Sequence, residues 1–443
     1  MRFVALALLL ASIPLLIAML RQSPRLRPWA LAAVGLLLFL GDTVRVTALV
    51  YGWPYWAGIA KGIVLSPIDT ISIALIVTRR STPGPTPFWG VFAIYGATVL
   101  MSLIVSQNPM ATLFYVSRLA SVLLLFGALA GEFHRADSRK GLLSGVALGL
   151  ILQAGMVVYQ KGTGAVQATG FMYHQNILGM MAELGLMLLL TALLTGERRK
   201  LVIAGVLAAG FIVAGGGSRG AMALAAGGAA VLILLSLIRD VTPAKMKVLG
   251  IAMLGLAVAT PVAIVTLKDR FGNASILTQE DQRSKFEKAA RMIAADHPLG
   301  VGANNYVSVA NASGYAERAG AAWNFNNRSA PVHNAYLLAR SETGWLGELA
   351  FILMLVWPAM RGFHFAFANR RGLAGDLALG SAVAISMVVI HNNFEFQVFS
   401  SNVLGLLMVH SAVIVGQIRG MKLAGLVQKP PAMSNTRPQT VQA

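Results

Sequence analysis

The sequence predicts an all-α polytopic membrane protein, a bundle of twelve or thirteen transmembrane helices with one large, partly helical outer loop. Three observations carry this. Of 443 residues, 56% are hydrophobic and 12% charged, a balance outside the range of soluble domains. Apolar runs long enough to cross a hydrocarbon layer of about 30 Å recur from residue 3 to residue 416. The 36 Lys and Arg, against 17 Asp and Glu, gather in short connections that alternate with others nearly free of them.

Taken in order, candidate spans fall at 3–20, 29–48, 57–78, 88–106, 112–131, 141–158, 175–195, 200–214, 220–238, 248–267, 335–357, 373–391 and 399–417. Merging two of the first three runs would leave twelve and reverse the side of the N-terminus. The first run reads as a retained span: only Arg2 precedes it, and no small-x-small cleavage site precedes Arg21. Connections with Arg21/Arg25/Arg27, Arg79/Arg80, Arg135/Arg139/Lys140, Arg198/Arg199/Lys200, Arg239/Lys245/Lys247 and Arg361/Arg370/Arg371 are expected on the cytoplasmic side. The chain then divides into spans at 1–267, an outer loop at 268–333, spans at 334–418, and a disordered cytoplasmic tail at 419–443 containing "KPPAMSNTRPQT". The cationic excess thus reads as an orientation signal among membrane lipids, with no nucleic-acid partner. Absence of cysteine excludes disulfides, thiolate catalysis and Cys-ligated metals.

Charge inside a membrane is costly and needs a reason. Arg45, Lys61, Arg118, Glu183, Arg219 and Arg340, with His174, Asn176, His333, Asn334, His391 and Glu395, all map to the outer half or outer surface. Singly each reads as a snorkelling or helix-pairing residue; together they point to a polar cavity open to the outside. Above it, "TQEDQRSKFEKAARMIAAD" has the pattern of an amphipathic helix with Thr278 as N-cap. Phe286, Ala290 and Ile293 share its apolar face, Arg283 flanks that face, and Lys285 and Lys288 lie opposite. In "HNAYLLARSETGWLGE", a continuous helix would bring Gly344 and Gly347 back near the face of His333. A neighbouring helix pressed on those glycines would then aim His333 inward, with Asn334 placed to hold the imidazole or a sugar hydroxyl.

These residues resemble the bacterial O-antigen ligases and the related O-antigen and exopolysaccharide polymerases. Residues 333–347 match the ligase pattern H-[NSQ]-x9-G-x-x-G at every fixed position, and "GSRGA" at 217–221 and "DHPLGVGANNY" at 296–306 resemble the same superfamily. The resemblance covers roughly residues 170–400. It implies a GT-C-like, metal-independent membrane glycosyltransferase that needs no cofactor. Such an enzyme takes a glycan from undecaprenyl diphosphate on the periplasmic face of the inner membrane, for a lipid A core or lipid-linked glycan acceptor. The matching positions are Arg219, Arg283 and His333. Where relatives often place Trp after the loop Arg this chain has Phe286, which keeps Arg291 as an alternative to Arg283.

The chemistry can be argued without the family. Nucleotide sugars are absent outside the inner membrane, so a donor there must already be activated as a lipid diphosphate. Its departing anion must be neutralised by a metal or by Arg forks, and the outer side has no D-x-D or His-x-x-x-His spacing. Arg219 and Arg283 remain for that task. A hydroxyl acceptor needs a base near neutral pH: His333 is the first candidate, His174 and His391 the competitors. Asn176, His174, Asn334, Arg291, His391 and Glu395 are expected to line the substrate cavity. Inversion at the anomeric carbon follows unless a carboxylate such as Glu395 attacks first. A lipid-linked glycan transporter would show inverted repeats and midplane charges, which are not evident. A protease built on Ser218 and His333 lacks a further positioned His motif. "GTGAVQATG" lacks the G-K-[ST] ending of a phosphate loop.

Overall fold

In the computed structural model, residues 2–41, 47–79, 86–165, 167–216, 218–254 and 275–427 are described. The helices are α1 (Arg2–Gln22), α2 (Arg27–Leu38), α3 (Pro67–Val77), α4 (Trp89–Met101), α5 (Pro109–Glu132), α6 (Ala136–Gly162), α7 (Gln175–Leu194), α8 (Lys200–Gly215) and α9 (Arg219–Arg239). After a helical run at 243–254 come α10 (Ser275–Asp296), α11 (Ala335–Ala368), α12 (Leu373–His391) and α13 (Ser401–Val427). Among the described residues eight helices are long and apolar enough to cross a membrane, and α3, α4 and α8 are shorter apolar helices. The expected all-α polytopic bundle is what folds. The expected span 248–267 lies largely outside the described residues, as do Arg45, Gly217 and the chain from 428.

Two expected spans fold otherwise. The runs 29–48 and 57–78 become α2 and α3, of 12 and 11 residues, each about 18 Å or less at 1.5 Å per residue and too short to cross alone. Between them lies an antiparallel hairpin, β1 (Ala48–Gly52) on β2 (Gly62–Leu65), with a register shift between Leu49 and Tyr51. Branched and aromatic residues favour that pairing. Trp53 packs edge-on to Phe114 of α5, centroids 5.2 Å apart. Ser66 and Asp69 form a capping box that starts α3.

Small residues set the close contacts. A Cβ on Gly145 of α6 would sit 1.9 Å from the Ala32 carbonyl oxygen, so α2 and α6 meet backbone to backbone. The most enclosed spans are α7 and α13, with α12 beside α7. Contrary to the expected tail at 419–443, α13 continues to Val427; Arg419 anchors it, Nη1 donating to the Ala130 carbonyl (3.0 Å).

At the end carrying the basic connections, the buried charges Arg27, Arg239 and Lys245 are paired. Arg27 binds Glu132, and Arg239 binds Asp376 and the Ala366 carbonyl. Lys245 binds Asp240 and Asp376. The opposite end gathers the N-termini of α7, α9, α11 and α13 and the C-terminus of α12, and there the motif residues meet.

Candidate functional site

His333 precedes α11, and Asn334 caps it, its Oδ1 accepting from the backbone N–H groups of Tyr336 and Leu337 (both 3.0 Å). This corrects the expectation that Asn334 holds the imidazole: its oxygen is used by the helix N-terminus, whose first N–H groups have no other acceptor. The glycine argument is corrected as well. Gly344 has φ 71° and ψ −176°, so α11 is broken there and no continuous helical face links it to His333. The chain filling the break is "HPLG": a Cβ on Gly344 would lie 2.6 Å from the Pro298 carbonyl oxygen. The atoms nearest to a Cβ on Gly347 would be those of the Thr343 side chain, four residues earlier in the same chain segment.

The outer loop is stitched into this break. The Val301 and Gly302 N–H groups donate to the Ser341 and Glu342 carbonyls (3.1 and 2.9 Å). The Glu342 carboxylate accepts from the Asn304 and Tyr306 N–H groups (2.8 and 3.0 Å). Asn304, itself at φ 68°, ties the loop to the hairpin connection and α5 by donating to the Ala60 and Ala111 carbonyls (2.7 and 2.9 Å). Thus the two outermost motifs are one unit: backbone groups exposed by the break are satisfied by the loop.

The amphipathic helix forms as α10, beginning at least at Ser275, so Thr278 lies within its first turn and not ahead of it. Phe286, Ala289, Ala290 and Ile293 are buried, and Tyr306 donates its hydroxyl to the Phe286 carbonyl (3.0 Å). That packing aims Arg283 at the bundle. Its Nη2 donates to Glu395 Oε1 at 3.0 Å, while the side chain stays 42% exposed. Arg291 is not brought there: it is 64% exposed and pairs with Glu287 one turn earlier.

Glu395, in the turn after α12, is the hub. Its Oε1 also accepts from Asn176 Nδ2 (2.6 Å), and its Oε2 lies 3.2 Å from His333 Nδ1. Burial pushes its carboxyl up, but the hydrogen bond and charge of His333, the Arg283 guanidinium and the Asn176 amide outweigh burial and hold it below the usual carboxylate range. An ionised carboxylate only accepts, so His333 Nδ1 carries the hydrogen and Nε2 keeps the lone pair in the neutral ring. The imidazole is held between Phe286, near-parallel at 21° with centroids 6.4 Å apart, and the edge-on Phe396 at 5.3 Å.

The two competing histidines each have an Nδ1 already engaged. His174 caps α7, its Nδ1 accepting from the Asn176 N–H (3.1 Å). Burial first, then the charges of His333 and Arg283, lower its pKa against the opposing pull of Glu395. His391 is fully buried with Nδ1 3.0 Å from Glu183 Oε2, and a Cβ on Gly220 would lie 3.4 Å from its Nε2. It supports the start of α9, and its enclosed place does not suit the expectation that it lines a substrate cavity. Arg219, the first residue of α9 after the N-cap Ser218, is exposed.

Sequence reasoning missed the parts played by Glu342, Phe396 and Glu183. For Glu342 the signal was there: an acid at the eighth residue of the expected span 335–357 needs internal partners.

Residues 203–352 match the family model described as O-Antigen ligase, a stretch that contains Arg219, Arg283, His333 and Gly344. The match supports an enzyme of O-antigen ligase or polymerase type. No curated protein matches this chain.

Proposed function

We propose that this member of an O-antigen ligase-related family transfers a glycan from undecaprenyl diphosphate to lipid A core on the periplasmic face of the inner membrane. The observation that carries the proposal is the Glu395 hub, which holds His333 with Nε2 available and Arg283 half-exposed. The acceptor hydroxyl gives its proton to His333 Nε2 as its oxygen attacks the anomeric carbon. The bond from that carbon to the diphosphate oxygen breaks, with inversion. Glu395 stabilises the imidazolium, and undecaprenyl diphosphate leaves against Arg219 and Arg283, whose planar forks match phosphate oxygens. The proton then passes from His333 to water or the departing diphosphate. Because Glu395 is engaged by Asn176, Arg283 and His333, it acts in this scheme as a positioning residue and not as a nucleophile.

In this scheme Arg219 and Arg283 carry the charge neutralisation without a metal ion. A polymerase would need a second diphosphate site for its acceptor, and Arg118, Arg328 and Arg340 are further arginines that could build one. Arg118 donates to the Phe399 and Ile59 carbonyls, Arg328 stacks on Trp323, and Arg340 reaches toward Glu348. These three separate settings favour the ligase reading.

The test is to delete the gene and examine the cell's glycans. Free lipid-linked long chains beside bare lipid A core are expected; accumulation of single repeats would establish a polymerase instead. With purified protein, transfer is expected to persist in chelator; loss restored by magnesium would overturn the metal-independent scheme.

A further inference from the structure

At the end opposite the site, a groove of about 340 Å³ opens between α11 and α13. Its rim carries Arg361, His364 and Lys422, and its wall Phe365, Ile418 and Met421. Among the described residues none of the three basic side chains has an acidic partner; of the acids at that end, Asp376 is engaged by Arg239 and Lys245, Asp240 by Lys245, Glu132 by Arg27 and Glu197 by Arg199, while Asp137 lies exposed in the first turn of α6. Residues 428–443 offer no compensating side chain, since they contain Lys429 and Arg437 but no Asp or Glu.

From this we infer that the groove is a binding site for an anionic phospholipid, its headgroup phosphate between Arg361 and Lys422 and its acyl chains along Phe365, Ile418 and Met421. Unpaired cations at the mouth of an apolar cleft between two spans match an amphiphile with one charged and one apolar end. A free phosphate would use only the rim. A zwitterionic lipid would bring an ammonium group into a setting that already has cations in excess.

The experiment uses the full-length protein in neutral detergent, titrated with phosphatidylglycerol, phosphatidylcholine or inorganic phosphate and followed by thermal melting and native mass spectrometry. Phosphatidylglycerol is expected to raise the melting temperature and to be retained, with little response to the other two. The double variant Arg361→Gln/Lys422→Gln should bind it about thirtyfold more weakly, at about 1 kcal/mol per basic residue near a lipid surface and 1.4 kcal/mol per tenfold. Arg198→Gln/Lys200→Gln, which removes two exposed charges from another connection at the same end, should bind as the unaltered protein does. An equal response to phosphatidylcholine or inorganic phosphate, unchanged binding by the first variant, or equal weakening in the second would each overturn the assignment. Both pairs are exposed, and melting without lipid verifies that each variant folds.

Discussion

The two ends of the bundle hold their charges in opposite ways. At the basic end Arg239 and Asp376 are buried together, with Lys245, Ser236 and the Ala366 carbonyl completing the set. At the other end a single buried carboxylate, Glu395, serves Arg283, His333 and Asn176, and Arg283 remains half-exposed. A closed network holds helices in register and has no capacity left for a ligand. An open one, cationic and only partly satisfied, retains donors for an anion.

The sharpest break in the comparison should come from His333→Ala. Loss of a general base lowers rate by roughly 10²–10⁴, so glycan transfer should nearly vanish while membrane abundance and melting temperature hold. Arg219→Lys should approach the same loss because Lys cannot form the two-point fork. Normal transfer by His333→Ala, measured with purified enzyme, would remove it from the chemistry.

Arg239→Ala should show the converse. Removing one partner of a buried pair costs about 3–5 kcal/mol, so abundance and melting temperature should fall while turnover per folded molecule changes little. If turnover fell at constant stability, the basic end would have a part in catalysis that a closed network does not explain.

Gly344→Ala lies between the two. The left-handed φ and the Pro298 oxygen in the way of a Cβ suggest a cost of about 1–3 kcal/mol. Hydrogen exchange should quicken at residues 297–306, and turnover should drop as α10 loses its seat. Protection unchanged over 297–306 would mean that the loop does not depend on the break.

The smallest effect is a pH dependence. Glu395 has a folded pKa below the ordinary carboxylate value, so the unfolded chain takes up its proton first as pH falls. Its stabilisation is therefore fully present above that ordinary value, about 4.3, and disappears as pH drops through the lower folded value. The melting-temperature gap between the unaltered protein and Glu395→Gln should be constant from pH 7 to about pH 5 and close only in stronger acid. A gap that closes between pH 7 and pH 6 would show that the carboxylate is not held low.

Sequence alone determined what depends on local composition. Apolar length marked the long spans, and Arg and Lys marked the connections at one end. Periodicity aimed Phe286, Ala290 and Ile293 inward with Arg283 beside them, as α10 bears out. Short motifs drew attention to Arg219 and His333, and the apolar face of the outer-loop helix drew attention to Arg283. Tertiary structure alone decided what holds them. Glu395 meets Asn176 across 219 positions, Arg283 across 112 and His333 across 62. No spacing rule reaches those separations, because they depend on how the ends of α7, α10, α11 and α12 converge. It also decided that Gly344 breaks a helix and does not pack one, that Asn334 serves as a cap, and that two apolar runs end in a hairpin. In each case the backbone's need for hydrogen-bond partners prevailed over the hydrophobic pattern that sequence displays.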